Sequence, residues 1–238
     1  MKKVNFADCY DEMMSYVEYD EWVKLLNFKI RKETKGINVL EIGSGTGEIS
    51  NRLNELGYKV KGIDISSEMV EISKNKYKNI EFLNESMLNL KDIREYDAVI
   101  SVFDTINYLH SLDELNMAFI NIYNSIKNNG VFIFDVLNRK MIDSMFSDDI
   151  FADDRGNMSI IWKHSYNENL KLDEIETIFY VKEKDDLFRR ISDKYMKMIF
   201  TNNQILEMAK SVGFYFVSKE INVEIAGPRV IYVFKRVN

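Results

Sequence analysis

The stretch Val39-Leu40-Glu41-Ile42-Gly43-Ser44-Gly45-Thr46-Gly47-Glu48-Ile49 decides the fold. An apolar run reaches an acidic residue, passes through glycines at every second position, and enters a segment patterned as a helix. Glycine lets the backbone turn tightly and lie directly against a ligand. A helix that starts just after such a turn leaves free N–H groups pointing at that ligand. The spacing is Glu-x-Gly-x-Gly-x-Gly. It differs from Gly-x-Gly-x-x-Gly, the dinucleotide fingerprint whose helix start receives a pyrophosphate. An ordinary strand-to-helix turn is the bland alternative, and three glycines in five residues count against it.

Working outward, strand and helix patterns alternate from residue 37 to 136. Strands are expected at 37–42, 59–64, 80–83, 97–102 and 131–136. Helices are expected at 46–56, 67–76 and 112–127, the last stopped by Asn128-Asn129-Gly130. Ser66 is placed to cap the second of these helices. This rhythm indicates an α/β fold with a parallel sheet. Ahead of it, Tyr19, Trp22, Val23, Leu26 and Ile30 recur at helical spacing over about 18–34, and Cys9, Tyr10 and Met13 suggest a shorter helix.

The rhythm changes after residue 137. Three alternating strands are expected within 157–200, carrying Met158 to Tyr166, Ile175 to Val181, and Met196 to Phe200. Thr201-Asn202-Asn203-Gln204 then has the spacing of a capping box. A helix to Val212 and two strands, 214–220 and 230–235, follow, with Pro228 in the turn between them. The expected organisation is one domain over 1–238. It comprises a helical segment 1–36, a core 37–137, an inserted antiparallel β lid 138–200, and a return to the core sheet over 201–238.

Composition narrows the class. The chain has 238 residues, 46% apolar, enough for one sizeable core. Net charge −6 argues against nucleic acid as a partner, since phosphate binding needs a basic surface. A single cysteine, Cys9, cannot form an internal disulfide and points to a reducing compartment. Met1-Lys2-Lys3 is followed by Asn5, Asp8, Asp11 and Glu12, so no signal peptide is read. No apolar stretch approaches the roughly 20 residues that span a bilayer. A cytoplasmic protein, monomer or homodimer, with no membrane partner, is the expectation.

Further residues carry candidate chemistry. Asp64 ends the second strand about twenty residues beyond the glycine loop, and a carboxylate there can accept from both hydroxyls of a ribose. A helix N-cap is its alternative role. His110 and His164 have no second histidine or cysteine at ligand spacing, so no metal site is indicated. His164 reads as a strand residue on a half-exposed face, and His110 as a candidate general base.

Residues 39–49 resemble motif I of the class I S-adenosylmethionine (SAM) methyltransferases, and Asp64 stands at the matching motif II position. The resemblance covers 6–136 well, the last helix and strands less specifically, and 138–200 hardly at all. It implies a Rossmann-like seven-stranded sheet with one antiparallel strand and helices on both faces, plus the small inserted antiparallel β subdomain. It implies that Gly43, Gly45 and Gly47 shape the SAM loop, and that Glu41 holds the loop or faces the SAM amino group. Asp64 is implied at the ribose, and Ile65 among the cofactor-binding residues. In the segment 81–87, Met87 is implied over the adenine, with Ser86 or a backbone group bonding it; relatives often carry aspartate where Ser86 stands. Ser101 to Leu109 resembles the corresponding segment of small-molecule methyltransferases. Val102 is implied near the cofactor, and Asp104, Asn107, Tyr108 and His110 near the acceptor, with loop hydrogen bonding as the alternative for Asp104 and Asn107. Residues 6–11 resemble a Tyr-Asp opening helix in which Tyr10, and less specifically Tyr19, closes over the methionine end of SAM, with a place among the surface or core aromatics of an amphipathic helix as the alternative for both.

The implied reaction is in-line methyl transfer to a nitrogen or oxygen of a small molecule, leaving S-adenosyl-L-homocysteine. No catalytic residue stands out. A SAM-binding regulatory or non-catalytic protein is the second reading, and an RNA or protein methyltransferase the third.

Overall fold

The computed structural model describes residues 5–145, 150–222, 225 and 229–237. Helix α1 (Phe6–Met13) opens on a capping box in which Asn5 and Asp8 exchange side chain-to-backbone bonds. Helix α2 (Tyr19–Glu33) follows and buries Trp22, Leu26 and Ile30 on one stripe. The core then alternates: β1 (Asn38–Ile42), α3 (Glu48–Glu55), β2 (Lys59–Asp64), α4 (Ser67–Lys76), β3 (Glu81–Asn84), β4 (Tyr96–Ser101), α5 (Leu112–Ser125) and β5 (Ile126–Val136). Helix α6 (Arg139–Met145) leads to β6 (Ile150–Asp154), β7 (Met158–Asn167), β8 (Leu172–Lys184) and β9 (Leu187–Met198). Helix α7 (Asn202–Val212), β10 (Phe214–Asn222) and β11 (Arg229–Arg236) close the chain's main sheet.

That sheet has seven strands in the order β10-β11-β5-β4-β1-β2-β3. Pairings among β1 to β5 are parallel, and β11 runs antiparallel to both neighbours. Every residue of β5 from Gly130 to Val136 is buried, as expected for a strand covered on both faces. Phe132 and Phe134 join the core under α5 and α7, while Val131 and Ile133 join the core under α1, α2 and α3. The chain builds outward from β1 to β3, then returns to lay β4 on β1's other side. Ligands in open α/β sheets bind at such a reversal, at the carboxyl ends of the strands.

Three expectations are corrected. Helix α5 ends at Ser125, before the expected 127, because Ile126 already bridges Tyr96 of β4. The 138–200 region holds four strands in the order β6-β7-β8-β9, with β6 and α6 unread from sequence. Asp153 and Asp154 make β6 look like a loop; pairing with β7 supplies its register. His164 is buried, with Nδ1 2.8 Å from the buried Asp173 carboxylate, rather than half-exposed. Pro228 lies outside the described residues. The capping box at Thr201 and Gln204 is formed as expected.

The four-stranded sheet turns one face to the core. Met158, Ile160 and Phe179 join the same apolar cluster as α1 and α2. The Phe6 ring meets Phe179 at 5.7 Å and Tyr195 at 6.4 Å. Arg155, after β6, donates to Met13 O (3.2 Å) and Ser15 Oγ (3.0 Å) at the end of α1. The sheet is therefore fastened over the N-terminal helices and the ends of the core strands. Among the described residues, no helix is long and apolar enough to cross a membrane.

Candidate active site

The loop leaving β1 folds back on β2. Gly43 and Ser44 N–H both donate to Ile63 O, at 2.8 and 3.0 Å. Gly43 has φ +74°, and a Cβ there would lie 2.4 Å from the Thr105 side chain. Gly47, at φ +90°, starts α3, and a Cβ on it would press on Phe82 at 2.9 Å. A side chain at either position would therefore meet both a disfavoured backbone and a filled space. A Cβ on Gly45 would meet only Tyr10 within 4 Å, so this is the open side of the loop.

Asp64 ties the loop to β2. Its Oδ2 accepts from Gly45 N–H (2.8 Å) and its Oδ1 from Ser66 N–H (2.9 Å). Each carboxylate oxygen keeps a further acceptor site. Burial raises the Asp64 carboxyl above its ordinary value against these backbone bonds. Ser66, and not Asp64, caps α4 by accepting from Met69 N–H (3.2 Å). Glu41 is buried, accepts from Ser50 Oγ, and is pushed up to about 8 chiefly by loss of solvation.

Glu41, Gly43, Ser44 and Gly45 line a pocket with Tyr10, Tyr19, Thr46, Glu48, Ile49 and Phe103. Tyr19 and Trp22 hold the Phe103 ring at 5.8 and 5.1 Å. Helix α1 is anchored here as well: Thr46 Oγ1 donates to Asp11 Oδ1 (2.5 Å), and Lys76 bridges Asp11 and Glu48. A second groove lies along the ends of β2 and β3, lined by Ile65, Asn84, Glu85, Ser86 and Asn89. Ile65 is 77% exposed there, an apolar surface beside a carboxylate.

The sequence-selected residues divide. Tyr10, Tyr19, Glu41, Gly43 and Gly45 come together in the first pocket; Asp64 joins them through its bond to Gly45. Ser86 lines the second groove, where its Oγ also accepts from Leu88 N–H (3.2 Å). Glu85 lines that groove too. Met87 and Val102 pack into the two core clusters and line neither pocket. Asn107 is fully buried and spends its amide on the protein: Nδ2 donates to Met198 O (2.7 Å), and Oδ1 accepts from Leu137 N–H (2.9 Å). Asp104 is buried in ion pairs with Lys197 of β9 and Arg229 of β11. Both side chains thus bond within the protein. His110 is exposed, and its backbone N–H donates to Glu114 Oε2 (2.6 Å). Tyr108 faces Tyr195 of β9 across 5.5 Å.

Sequence reading missed Phe103, Tyr195, Lys197 and Arg229. Only the folding of β9 and β11 toward the 103–108 turn brings them in. Lys197 alternates in phase with Tyr195, which could have marked both for one face. Among the described residues, no group of three or more histidine, cysteine, aspartate or glutamate side chains could hold a metal ion.

Comparison with known proteins agrees with this architecture. Residues 39–130 match the methyltransferase domain family. The chain is 31% identical over 213 residues to YqeM of Bacillus subtilis (strain 168), a methyltransferase by name, covering 88% of this chain and 85% of that one. Its fold superposes on a SAM-dependent methyltransferase from Clostridium acetobutylicum ATCC 824 with TM-score 0.86, at 22% identity and 98% coverage of both chains. It also superposes on SAM-bound CalS10, an amino pentose methyltransferase from Micromonospora echinaspora, with TM-score 0.81, 15% identity and full coverage of both. The chain belongs to the class I SAM-dependent methyltransferases.

The site fits that cofactor on its own geometry. The open side of Gly45, the buried acid Glu41 and the apolar Ile65 beside Asp64 answer, in order, an uncluttered backbone approach, an ammonium and a nucleoside face.

Proposed function

We propose that the acceptor is a small molecule, methylated on nitrogen or oxygen beneath the four-stranded sheet. The observation that carries this is the roof. Strand β9 meets the turn after β4, so that Tyr108 and Tyr195 face each other at 5.5 Å above the donor loop's end of the sheet. A roofed site admits a small molecule more readily than a duplex or a folded protein. The acidic net charge of −6 favours the same choice. CalS10, which has the same fold, is itself named as acting on an amino pentose.

In this reading Gly43, Gly45 and Gly47 cradle the methionine part of SAM, and Glu41 with Tyr10 and Tyr19 holds its amino end. Asp64 takes the ribose hydroxyls, while Ile65, Ser86 and Glu85 border the adenine. SAM supplies a methyl group on a sulfonium, already a good leaving group. The protein's contribution is then alignment of the acceptor and exclusion of water. Burial keeps the Tyr10 and Tyr195 phenols protonated well above neutral pH, so they do not act as phenolate bases. An acceptor amine arriving unprotonated needs no base from the chain. Phe103 and Tyr10 wall the pocket against solvent.

The test is a methylation screen of small amines and hydroxyl compounds with SAM, read by mass spectrometry. Methylated small product is expected. Turnover on transfer RNA or a protein, with none on any small acceptor, would overturn the reading.

A further inference from the structure

Between the donor pocket and the roof lies a buried group of four charges that the reaction itself does not call for. Asp104 follows β4 and is 3% exposed. Its two oxygens meet Lys197 Nζ, from the roof strand β9, and Arg229 Nη1, from core strand β11. Arg229 Nη1 also reaches Asp135 Oδ2 at 2.8 Å, and that oxygen accepts the Asp104 N–H at 3.1 Å. The chain at this point is bent in an unusual way. Phe103 and Asp104, neither of them glycine, have φ of +60° and +54°. Two successive left-handed residues with a Cβ are disfavoured and persist only where their surroundings hold them. The Asp104 side chain and its own N–H are what is held here.

This bend reaches both halves of the site. On one side it aims the Phe103 ring into the donor pocket beside Tyr10 and Tyr19, with the Arg229 guanidinium 5.9 Å from the ring centre. On the other, Lys197 Nζ lies 5.0 Å from the Tyr108 ring centre and 5.4 Å from that of Tyr195, fixing a core tyrosine against a roof tyrosine. Burial opposes every one of these charges. The neighbouring cations outweigh it at Asp104, which is held below the ordinary carboxylate range. Buried ion pairs are seldom more stabilising than apolar side chains of the same volume. Stability alone therefore gives no reason to place four charges at this junction, whereas fixed directionality does.

We propose that Lys197 and Arg229 are positioning residues that latch the four-stranded roof to the methyl-donor pocket through Asp104, so that closing the roof and holding the cofactor are one coupled event. The latch is independent of the acceptor's identity. Cofactor binding pushes on Phe103, Phe103 is continuous with the left-handed bend at Asp104, and Asp104 holds Lys197 of the roof.

The experiment compares wild type, Lys197→Met, Lys197→Arg and Asp104→Asn, using S-adenosylhomocysteine as the probe. Calorimetry gives its affinity, and hydrogen exchange by mass spectrometry follows residues 101–109, 187–198 and 131–136. Lys197→Met keeps the Asp104–Arg229 pair and is expected to fold. It should weaken S-adenosylhomocysteine by about fivefold or more, the range of ordinary site-to-site coupling. Exchange should quicken in 101–109 and 187–198 together, with 131–136 unchanged, and binding to the wild type should slow both segments. Lys197→Arg should restore affinity to within about twofold of wild type, and Asp104→Asn should give the Lys197→Met pattern. The proposal is overturned if Lys197→Met loosens 187–198 alone with affinity unchanged, or if exchange rises equally in 131–136. Wild type that fails to bind the probe would instead remove the cofactor reading itself.

Discussion

Replacing Glu41 with glutamine removes a pH-dependent cost that the fold places under the donor loop. The wild-type carboxyl is 2% exposed and pushed up to about 8, first by loss of solvation, with the Ser50 hydroxyl pulling it back and the Asp64 charge adding to it. In the unfolded chain the same group titrates near its ordinary 4.5. Below that pH both states are protonated, and the group's favourable contribution to the fold is complete. Above it the unfolded chain ionises while the fold does not, and stability falls by about 1.4 kcal/mol per pH unit. The loss levels off above about 8, where both states are ionised. Between pH 5 and pH 9 the group's contribution therefore falls by about 4 kcal/mol. Glutamine keeps the shape and an oxygen for Ser50 but does not titrate. At about 2–4 °C per kcal/mol for a chain of this size, the melting-temperature gap between Glu41→Gln and wild type should widen by about 8–16 °C from pH 5 to pH 9. Binding supplies a second reading. An ammonium brought to Glu41 ionises it, so S-adenosylhomocysteine should release about 0.9 proton at pH 7, seen in the buffer dependence of the calorimetric enthalpy, and none in Glu41→Gln. Parallel melting curves across this pH range, or equal proton release by both proteins, would refute the reasoning.

Asp64→Ala removes the acceptor for Gly45 N–H and the carboxylate proposed to take the ribose hydroxyls; it should weaken S-adenosylhomocysteine by about tenfold or more with unchanged far-ultraviolet circular dichroism, each charged hydrogen bond being worth about 1.5–3 kcal/mol. Gly43→Ala forces a Cβ against Thr105 at φ +74° and should lower the melting temperature; adding Thr105→Gly relieves the contact but not the backbone, so the double variant should recover part of the loss, as thermal denaturation can show. His110→Ala should leave turnover within about twofold and stability within about 0.5 kcal/mol, because the residue is exposed and alanine keeps the backbone N–H that bonds Glu114; a large loss of turnover would make His110 a base of the site.

Much of the core was legible because each signal is local. The strand, glycine and acid pattern of 39–49 set β1 and its loop, and Asp64 followed from the spacing of one βα unit. The Ser66 cap and the capping box at Thr201 placed two helix starts to the residue. What sequence could not give was long-range. Asp104 and Asn107 read equally as acceptor contacts, until Lys197, Arg229 and Met198, contributed from the roof and the last strand, were seen to occupy them. His164 shares the phase of the core-facing Met158 and Ile160, but the sequence does not show the partner that lets an imidazole be buried, which is Asp173 on the neighbouring strand. Met87 occupies the position expected to cover a base, yet the short turn at Met87–Asn89 directs it into the core and leaves Glu85 and Asn89 at the groove.

The most direct test of a small-molecule methyltransferase is where the methyl group goes. SAM labelled on its methyl carbon, incubated with the protein and a cell extract, should place label in the low-molecular-mass fraction, and the transfer should fall when Asp64 is replaced by alanine. Label confined to RNA or to protein bands, and equally reduced by Asp64→Ala, would contradict the account of the acceptor while leaving the donor site intact.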